Sequence, residues 1–364
     1  MNMHSRRHAL KTLALGSSLA LVNPLQLLAR SRKEKIGVAL VGLGYYSTDL
    51  LAPALQQTEH CYLAGIVTGT PSKAEAWKEK YQLLEKNIYN YENFDRIADN
   101  PDIDVVYVVL PPSMHAEYTI RAANAGKHVW CEKPMAVTSK ECQRMIDACK
   151  KNKVQLTIGY RLHHEPNTQE YRSIVRQNKL GSVNYVDCAA GYRENRTDHW
   201  KQKKEMGGGV IYDMGVYSIQ GARLGTNREP VAVVSASAIS TRSEIYKDGL
   251  ADVVTAKLEF PDGIFADIKT SFAESVNFLT IQCAEGNIEM QPYSAYAGVK
   301  GKSPLGVINH PYQVPWQQAK QMDDDALAIL ENKAPLVPGE EGLRDIAIVE
   351  AILKSAEKGK RVNI

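Results

Sequence analysis

The strongest constraint on this chain is a continuous apolar run, Ile36–Val41, that ends in Gly42-Leu43-Gly44. A run without alternation fits a strand buried on both faces, and the glycines after it fit a tight turn. The theme recurs downstream. Further strands are expected at 62–67, 105–110, His128–Cys131 and 154–158, with helical patterns between them at 72–81, 115–124 and 139–152. This alternation specifies an α/β fold with a doubly wound parallel sheet of the Rossmann type.

Beyond Gly181 the pattern turns β-rich, with strands expected at 183–189, 231–238, 251–260, 264–270 and 278–283. Pro261-Asp262-Gly263 and Glu285-Gly286-Asn287 are turn chemistry suited to hairpins. The expected second domain is α+β, with a large open, mainly antiparallel sheet and a closing amphipathic helix over 342–358. Three segments result: an export signal and linker at 1–33, a dinucleotide-binding domain at 34–158, and a substrate-binding and oligomerisation domain at 159–364. A length of 364 residues suits two compact domains. A net charge of +3 is too small at this length to suggest nucleic-acid or membrane-surface binding.

Gly42-x-Gly44-x-x-Ser47 has the form of a dinucleotide fingerprint with a small residue at the third glycine position. The first glycine permits the turn, and the second lets backbone approach a pyrophosphate at a helix N-terminus. NAD-preferring sites carry an Asp or Glu at the end of the second strand, to bond the ribose hydroxyls. Here that place reads Thr68-Gly69-Thr70-Pro71-Ser72-Lys73, with hydroxyls and a cation but no carboxylate. A 2′-phosphate would find its partners in Thr68 and Lys73, so NADP is favoured over NAD. The same residues also read as a solvated turn with Ser72 as helix N-cap.

Catalytic chemistry has two candidate segments. Lys133, in Cys131-Glu132-Lys133-Pro134, follows a strand of the parallel sheet, and ligands of such sheets lie beyond the carboxyl ends of the strands. An ordinary loop lysine is the bland alternative. In Gly207-Gly208-Gly209-Val210-Ile211-Tyr212-Asp213-Met214-Gly215-Val216-Tyr217 the glycines suggest backbone packed close to a ligand. Asp213 and Tyr217, four apart, share one helical face. A carboxylate and a phenol so placed can hold a sugar hydroxyl and move its proton. A phenol ionises near ~10, so this needs a nearby cation, which Lys133 can supply. The bland alternative is a buried tyrosine bonded to a helix aspartate.

From about Lys35 to its end the chain resembles the Gfo/Idh/MocA oxidoreductase family, and most closely its glucose–fructose oxidoreductase branch. The resemblance is carried by Val41-Gly42-Leu43-Gly44, Leu110-Pro111-Pro112-Ser113-Met114-His115, Glu132-Lys133-Pro134, Ile158-Gly159-Tyr160-Arg161, the glycine run with Asp213 and Tyr217, and Pro338-Gly339-Glu340-Glu341-Gly342. It implies Lys133 as the catalytic lysine, Tyr217 as general acid/base, Asp213 as a substrate-orienting carboxylate, and Tyr160 as a further contact in the sugar pocket. Gly42 and Gly44 would cradle the pyrophosphate, Thr68 and Lys73 would hold the 2′-phosphate, and Glu132 counts with the cofactor-binding residues. A cis bond before Pro134 is expected, as is a homodimer or homotetramer joined through the open sheet. The implied reaction passes a hydride from C1 of an aldose to NADP, with recycling by reduction of a second sugar. Redox-assisted glycoside cleavage and a non-catalytic nucleotide-binding sensor are the competing readings. Three departures stand out: no room for the branch's long proline-rich arm, Lys201 after Trp200 where arginine is common, and Pro112 in place of a more polar residue.

Ser5-Arg6-Arg7-His8-Ala9-Leu10-Lys11 followed by an apolar stretch to Leu28 has the form of a twin-arginine export signal. It implies delivery of the folded protein to the periplasm by the twin-arginine machinery, with a membrane-anchoring helix as the alternative. None of the six cysteines has metal-ligand spacing. Cys142 and Cys149 sit two helical turns apart, roughly 10 Å, too far to bond each other, and buried free thiols are expected. His163-His164-Glu165 reads as structural or sugar-contacting rather than metal-binding. Asp323-Asp324-Asp325 reads as a helix N-terminus or a solvated face.

Overall fold

A computed structural model describes residues 33–364; the twin-arginine segment lies outside the described residues. Strands β1 (Ile36–Val41), β2 (Cys61–Val67), β3 (Ile88–Tyr89), β4 (Val105–Val108), β5 (His128–Cys131) and β6 (Leu156–Ile158) form one sheet in the order β3-β2-β1-β4-β5-β6. Every pairing in it is parallel. All six residues of β1 are buried, as its unalternated run requires. β3 has only two residues, too few to leave a periodic signal. The helix expected from 115 begins at Pro112, because a proline ring is already set for the first helical position.

The second sheet contains β7 (Val183–Gly191), β8 (Ala232–Ile239), β9 (Val253–Glu259), β10 (Phe265–Ser271), β11 (Val276–Cys283), β12 (Gly286–Met290), β13 (Gly301–Ser303), β14 (Gly306–Ile308) and β15 (Val362–Asn363). Its order is β14-β13-β12-β11-β7-β10-β9-β8-β15, and all its pairings are antiparallel except β10 with β7. Pro261–Gly263 turns β9 into β10, with Asp262 left-handed at φ 63°. Helices Val216–Thr226 and Gly339–Lys358 pack on one face of this sheet, and the latter also meets helix Ser139–Lys151 of the first domain.

The helix Trp316–Leu330 was not legible as a helix, and it crosses back to the first domain. Its Ala319, Met322 and Ala326 join Ile36, Val38, Leu40, Tyr107 and Trp130 in one apolar cluster. This corrects the reading of the acidic run, which lies inside the helix rather than at its start. Asp323 accepts the Glu59 and His60 amides at 2.9 and 2.8 Å, and Asp324 bonds His164 at 2.8 Å. Asp325 is buried. A short-range reading cannot foresee partners more than a hundred residues away.

Candidate active site

The glycine turn after β1 is fixed by contact and by backbone angle. Gly42 has φ +91°, and a Cβ there would stand 2.4 Å from the Val109 carbonyl oxygen, so only glycine fits. At Gly44, by contrast, a Cβ would meet no protein atom within 4 Å. No packing demand explains that glycine. A pyrophosphate drawn close to the backbone does, and the turn therefore fits a dinucleotide. Ser47, in the third glycine's place, is buried and donates its hydroxyl to the Gly42 carbonyl at 2.6 Å. The chain then enters a π-helical turn, Tyr46–Leu51, before the short helix Ala52–Leu55.

At the end of β2, the Thr68 hydroxyl accepts the Thr70 amide at 3.2 Å. Lys73 Nζ donates to the Leu43 carbonyl at 3.0 Å, which brings its ammonium to the glycine turn. Ser72 is not the N-cap: the helix runs Pro71–Tyr81 with Thr70 at the cap position, because Pro71 takes the first helical turn.

Lys133 follows the carboxyl end of β5, and its bond to Pro134 is cis. Its Nζ donates to the Asp213 backbone carbonyl at 2.9 Å and lies 3.6 Å from the Asp213 carboxylate and 4.5 Å from the centre of the Tyr217 ring. Burial works against its charge, yet Tyr217, Asp213 and Glu132 around it hold the ammonium above the ordinary lysine range. Lys133 thus meets Asp213 and Tyr217 of the second domain. Glu132 beside it faces inward. Its carboxylate accepts the Tyr107 hydroxyl at 2.6 Å and the Lys133 amide at 3.3 Å. Gly159 makes the room, since a Cβ there would come within 2.7 Å of a Glu132 oxygen. Burial pushes the Glu132 carboxyl up to about 7.

Asp213 and Tyr217 are separated by a change of helix type, with Asp213 in the π-helical turn Ile211–Gly215 and Tyr217 in helix Val216–Thr226. The Asp213 carboxylate is engaged by Lys201 Nζ at 2.6 Å and by the Tyr192 hydroxyl at 3.3 Å. Lys201 also donates to Tyr192 at 2.7 Å. Burial alone would raise the Asp213 carboxyl, but Lys201 and then Lys133 hold it at about 2. The lysine read as a departure thus becomes a structural neighbour of the site, and its only sequence signal was that departure. The glycine run approaches protein rather than leaving open space. A Cβ at Gly207 would meet Val137 at 2.8 Å and Pro112 at 2.9 Å, and one at Gly208 three carbonyls at 2.7 Å.

Tyr160 is buried with its hydroxyl toward Asp345, in the network of Gln220 and Arg223, rather than toward Lys133. It is the next residue, Arg161, that reaches the site, 3.4 Å from the Tyr217 hydroxyl. Arg161 stands in the Ile158–Arg161 motif, whose spacing carries no sign of this role. His163 and His164 are both buried and bonded, to Gln220 at 2.7 Å and to Asp324 at 2.8 Å. Among the described residues no group of His, Cys, Asp and Glu is arranged to hold a metal, and all six cysteines are buried free thiols.

A parallel sheet with a dinucleotide turn, whose carboxyl edge presents a lysine to polar residues from an antiparallel-sheet domain, defines a two-domain nicotinamide-dependent oxidoreductase. Residues 36–160 match the Gfo/Idh/MocA oxidoreductase family's NAD-binding Rossmann fold, and residues 172–364 match its C-terminal α/β domain. The chain belongs to this family. A crystal structure of aldose–aldose oxidoreductase from Caulobacter crescentus, complexed with glycerol, is 38% identical with TM-score 0.86, covering 91% of this chain and 100% of that one. The D-xylose 1-dehydrogenase [NADP(+)] of Haloarcula marismortui is 25% identical over 342 residues, 90% of this chain and 92% of that protein. Levoglucosan dehydrogenase in complex with NADH and levoglucosan, 21% identical with TM-score 0.78, shares the fold.

Proposed function

We propose that this protein is an NADP-dependent sugar oxidoreductase that takes hydride from C1 of an aldose and recycles its cofactor by reducing a second sugar to an alditol. The observation that carries the reading is the meeting of Lys133, at the carboxyl edge of the parallel sheet, with Asp213 and Tyr217 of the second domain. The aldose–aldose oxidoreductase and the NADP-dependent xylose dehydrogenase support the substrate and cofactor classes. Thr68 and Lys73, without a carboxylate between them, support NADP over NAD.

Gly42 and Gly44 would cradle the pyrophosphate, and Thr68 and Lys73 the 2′-phosphate. When bound, the nicotinamide supplies the hydride acceptor. Lys133 binds the C1 hydroxyl, Tyr217 takes the hydroxyl proton as the C1 hydrogen leaves with its electron pair, and Asp213 orients the ring. The hemiacetal becomes a lactone. For the second sugar Tyr217 returns the proton.

Delivery to the periplasm is part of the proposal, supported by the twin-arginine frame of residues 5–11. A preloaded, folded enzyme that regenerates its own cofactor suits that destination. Assembly through the open face of the nine-stranded sheet is proposed as well, since Tyr185, Ile239, Phe265 and Phe278 are left exposed or partly exposed there. Light scattering of the purified protein checks the assembly, and a monomer at micromolar concentration would end that part.

The central test uses thoroughly desalted protein with an aldose and a second sugar, and no added nicotinamide. Equal yields of lactone (or its acid) and alditol over many turnovers are expected. Product capped near one equivalent per enzyme, rising only with added NADP, would make the protein a dissociable dehydrogenase instead.

A further inference from the structure

Two buried arginines in this chain are satisfied in opposite ways. Arg223 is surrounded by carboxylates, bonding Glu229 at 2.6 Å, Asp345 at 2.7 Å and Glu341 at 2.9 Å. Arg161 is only 3% exposed, yet no carboxylate is among its hydrogen-bond partners. Its Nη1 donates to the Ala295 carbonyl at 3.0 Å and to Gln317 Oε1, and its Nη2 to the Ser294 carbonyl at 2.6 Å. Nε is buried with no hydrogen-bond partner. A buried cation hydrogen-bonded only to dipoles, with Glu132 acting on it only through space, bears a desolvation cost that no direct ion pair offsets. A fold that keeps it has placed a positive charge against something that becomes negative.

Arg161 Nη2 lies 3.4 Å from the Tyr217 hydroxyl, and the guanidinium stands 5.3 Å from the Tyr217 ring centre and 4.5 Å from that of Tyr296. The ionisable groups facing Tyr217 come from several elements: Lys133 after β5, Arg161 after β6, Tyr46 from the π-helical turn, Tyr293 and Tyr296 after β12, and Asp213 from the turn before its own helix. Burial pushes the Tyr46, Tyr293 and Tyr296 hydroxyls up, so each holds its proton. Asp213 already has its charge shared between two lysines. Glu132, whose carboxyl burial raises to about 7, feels the Arg161 charge only through space, whereas the Tyr217 oxygen accepts from Arg161 Nη2 directly.

We propose that Arg161 is a positioning residue for hydride transfer, its guanidinium donating to the Tyr217 oxygen and, with Lys133 over the ring, holding that oxygen where it accepts the sugar hydroxyl's proton. This rests on Tyr217 being the acid/base group of the function proposed above. The chemistry adds no reactant: the sugar hydroxyl's proton goes to the Tyr217 oxygen, and Arg161 keeps its own protons throughout.

The experiment is the pH dependence of kcat/KM for aldose oxidation by the NADP-loaded enzyme. Wild type should show an acid limb, below which activity falls. In Arg161→Gln that limb should move up by about one pH unit, so activity at a pH on the limb falls about tenfold and recovers at alkaline pH. Arg161→Lys should lie between the two. Gln317→Glu offers a milder route, since it sets a carboxylate on Arg161 without removing it, and should move the limb in the same direction. It decides the matter should Arg161→Gln fail to fold. A uniform loss at every pH with the limb unmoved, in Gln317→Glu and any folded Arg161→Gln, would overturn the proposal and reduce Arg161 to a tether for Ser294 and Ala295. Tyr217→Phe separates the two readings. An acid limb that persists in that variant removes Tyr217 from the mechanism and Arg161 with it.

Discussion

Glu132 of the first domain and Asp213 of the second are both shut away from solvent beside Lys133, yet the first is pushed up to about 7 and the second is held at about 2. Burial raises both. The difference lies in what each domain offers next. The edge of the parallel sheet gives Glu132 a neutral phenol, Tyr107, and the Lys133 amide, with the Lys133 ammonium acting only through space. The loop after β7 gives Asp213 the Lys201 ammonium in direct contact, Tyr192, and Lys133 from across the domain boundary. Equal burial therefore leaves one carboxyl able to carry a proton near neutrality and the other a fixed negative charge. Lys133 sits between them.

The largest expected effect comes from removing what the two carboxylates have in common. Lys133→Met should lower turnover by ~10²–10⁴-fold, the usual range for a positioned acid/base arrangement, while NADP titration stays nearly unchanged. Near-wild-type steady-state turnover in that variant would detach both carboxylates from the chemistry.

Breaking the second-domain side should appear as lost stability. Asp213→Asn leaves Lys133 and Lys201 without their shared counter-charge, and urea unfolding near neutrality should show a loss of ~3–5 kcal/mol, as for other broken buried pairs. The native carboxyl is depressed from 3.8 to about 2, so its contribution is present above about pH 4 and fades as pH falls through 2. The gap between wild type and variant should narrow there by about 2.5 kcal/mol, the worth of that shift.

The first-domain side has the opposite sign. The Glu132 carboxyl is raised from 4.5 to about 7, so the folded state binds the proton more tightly than the unfolded chain and wild type loses stability as pH rises between those values. Glu132→Gln cannot ionise. Thermal unfolding at pH 4.5 and 7.5 should show the variant gaining on wild type by roughly 3 kcal/mol over that interval. A constant difference at both pH values would mean that Glu132 is ionised in the folded protein like any exposed carboxylate.

The smallest effect sits furthest from Lys133. Lys73→Ala should weaken NADP(H) roughly tenfold and NAD(H) far less, the worth of about one charged hydrogen bond. Equal losses for the two cofactors in fluorescence titration would remove Lys73 from phosphate recognition and leave its bond to Leu43 as a structural one.

The elements that were legible in advance are those whose signal is local. β1 and β5 were placed to the residue because a strand buried on both faces is written as an unbroken apolar run, and Gly42 because a left-handed turn tolerates little else. Lys133 was legible from its place after a parallel strand. Tyr160 and Arg161 were not separable, because adjacent residues in a turn point to different sides and the chain carries no mark of which one faces the site. Tyr160 turns to Asp345, and Arg161 to Tyr217.

The Rossmann sheet, the dinucleotide turn with its want of a carboxylate after β2, and the residue types available for acid/base chemistry were readable along the chain. These follow from periodicity and turn chemistry, which act over a few residues. Packing between distant segments sets the sharing of Asp213 by Lys201 and Lys133, the seating of helix Trp316–Leu330 on the first domain, and the place of Arg161 at Tyr217 with no carboxylate bonded to it. Each depends on side chains brought together from distant parts of the chain, where charge and desolvation act through space and leave no spacing to read.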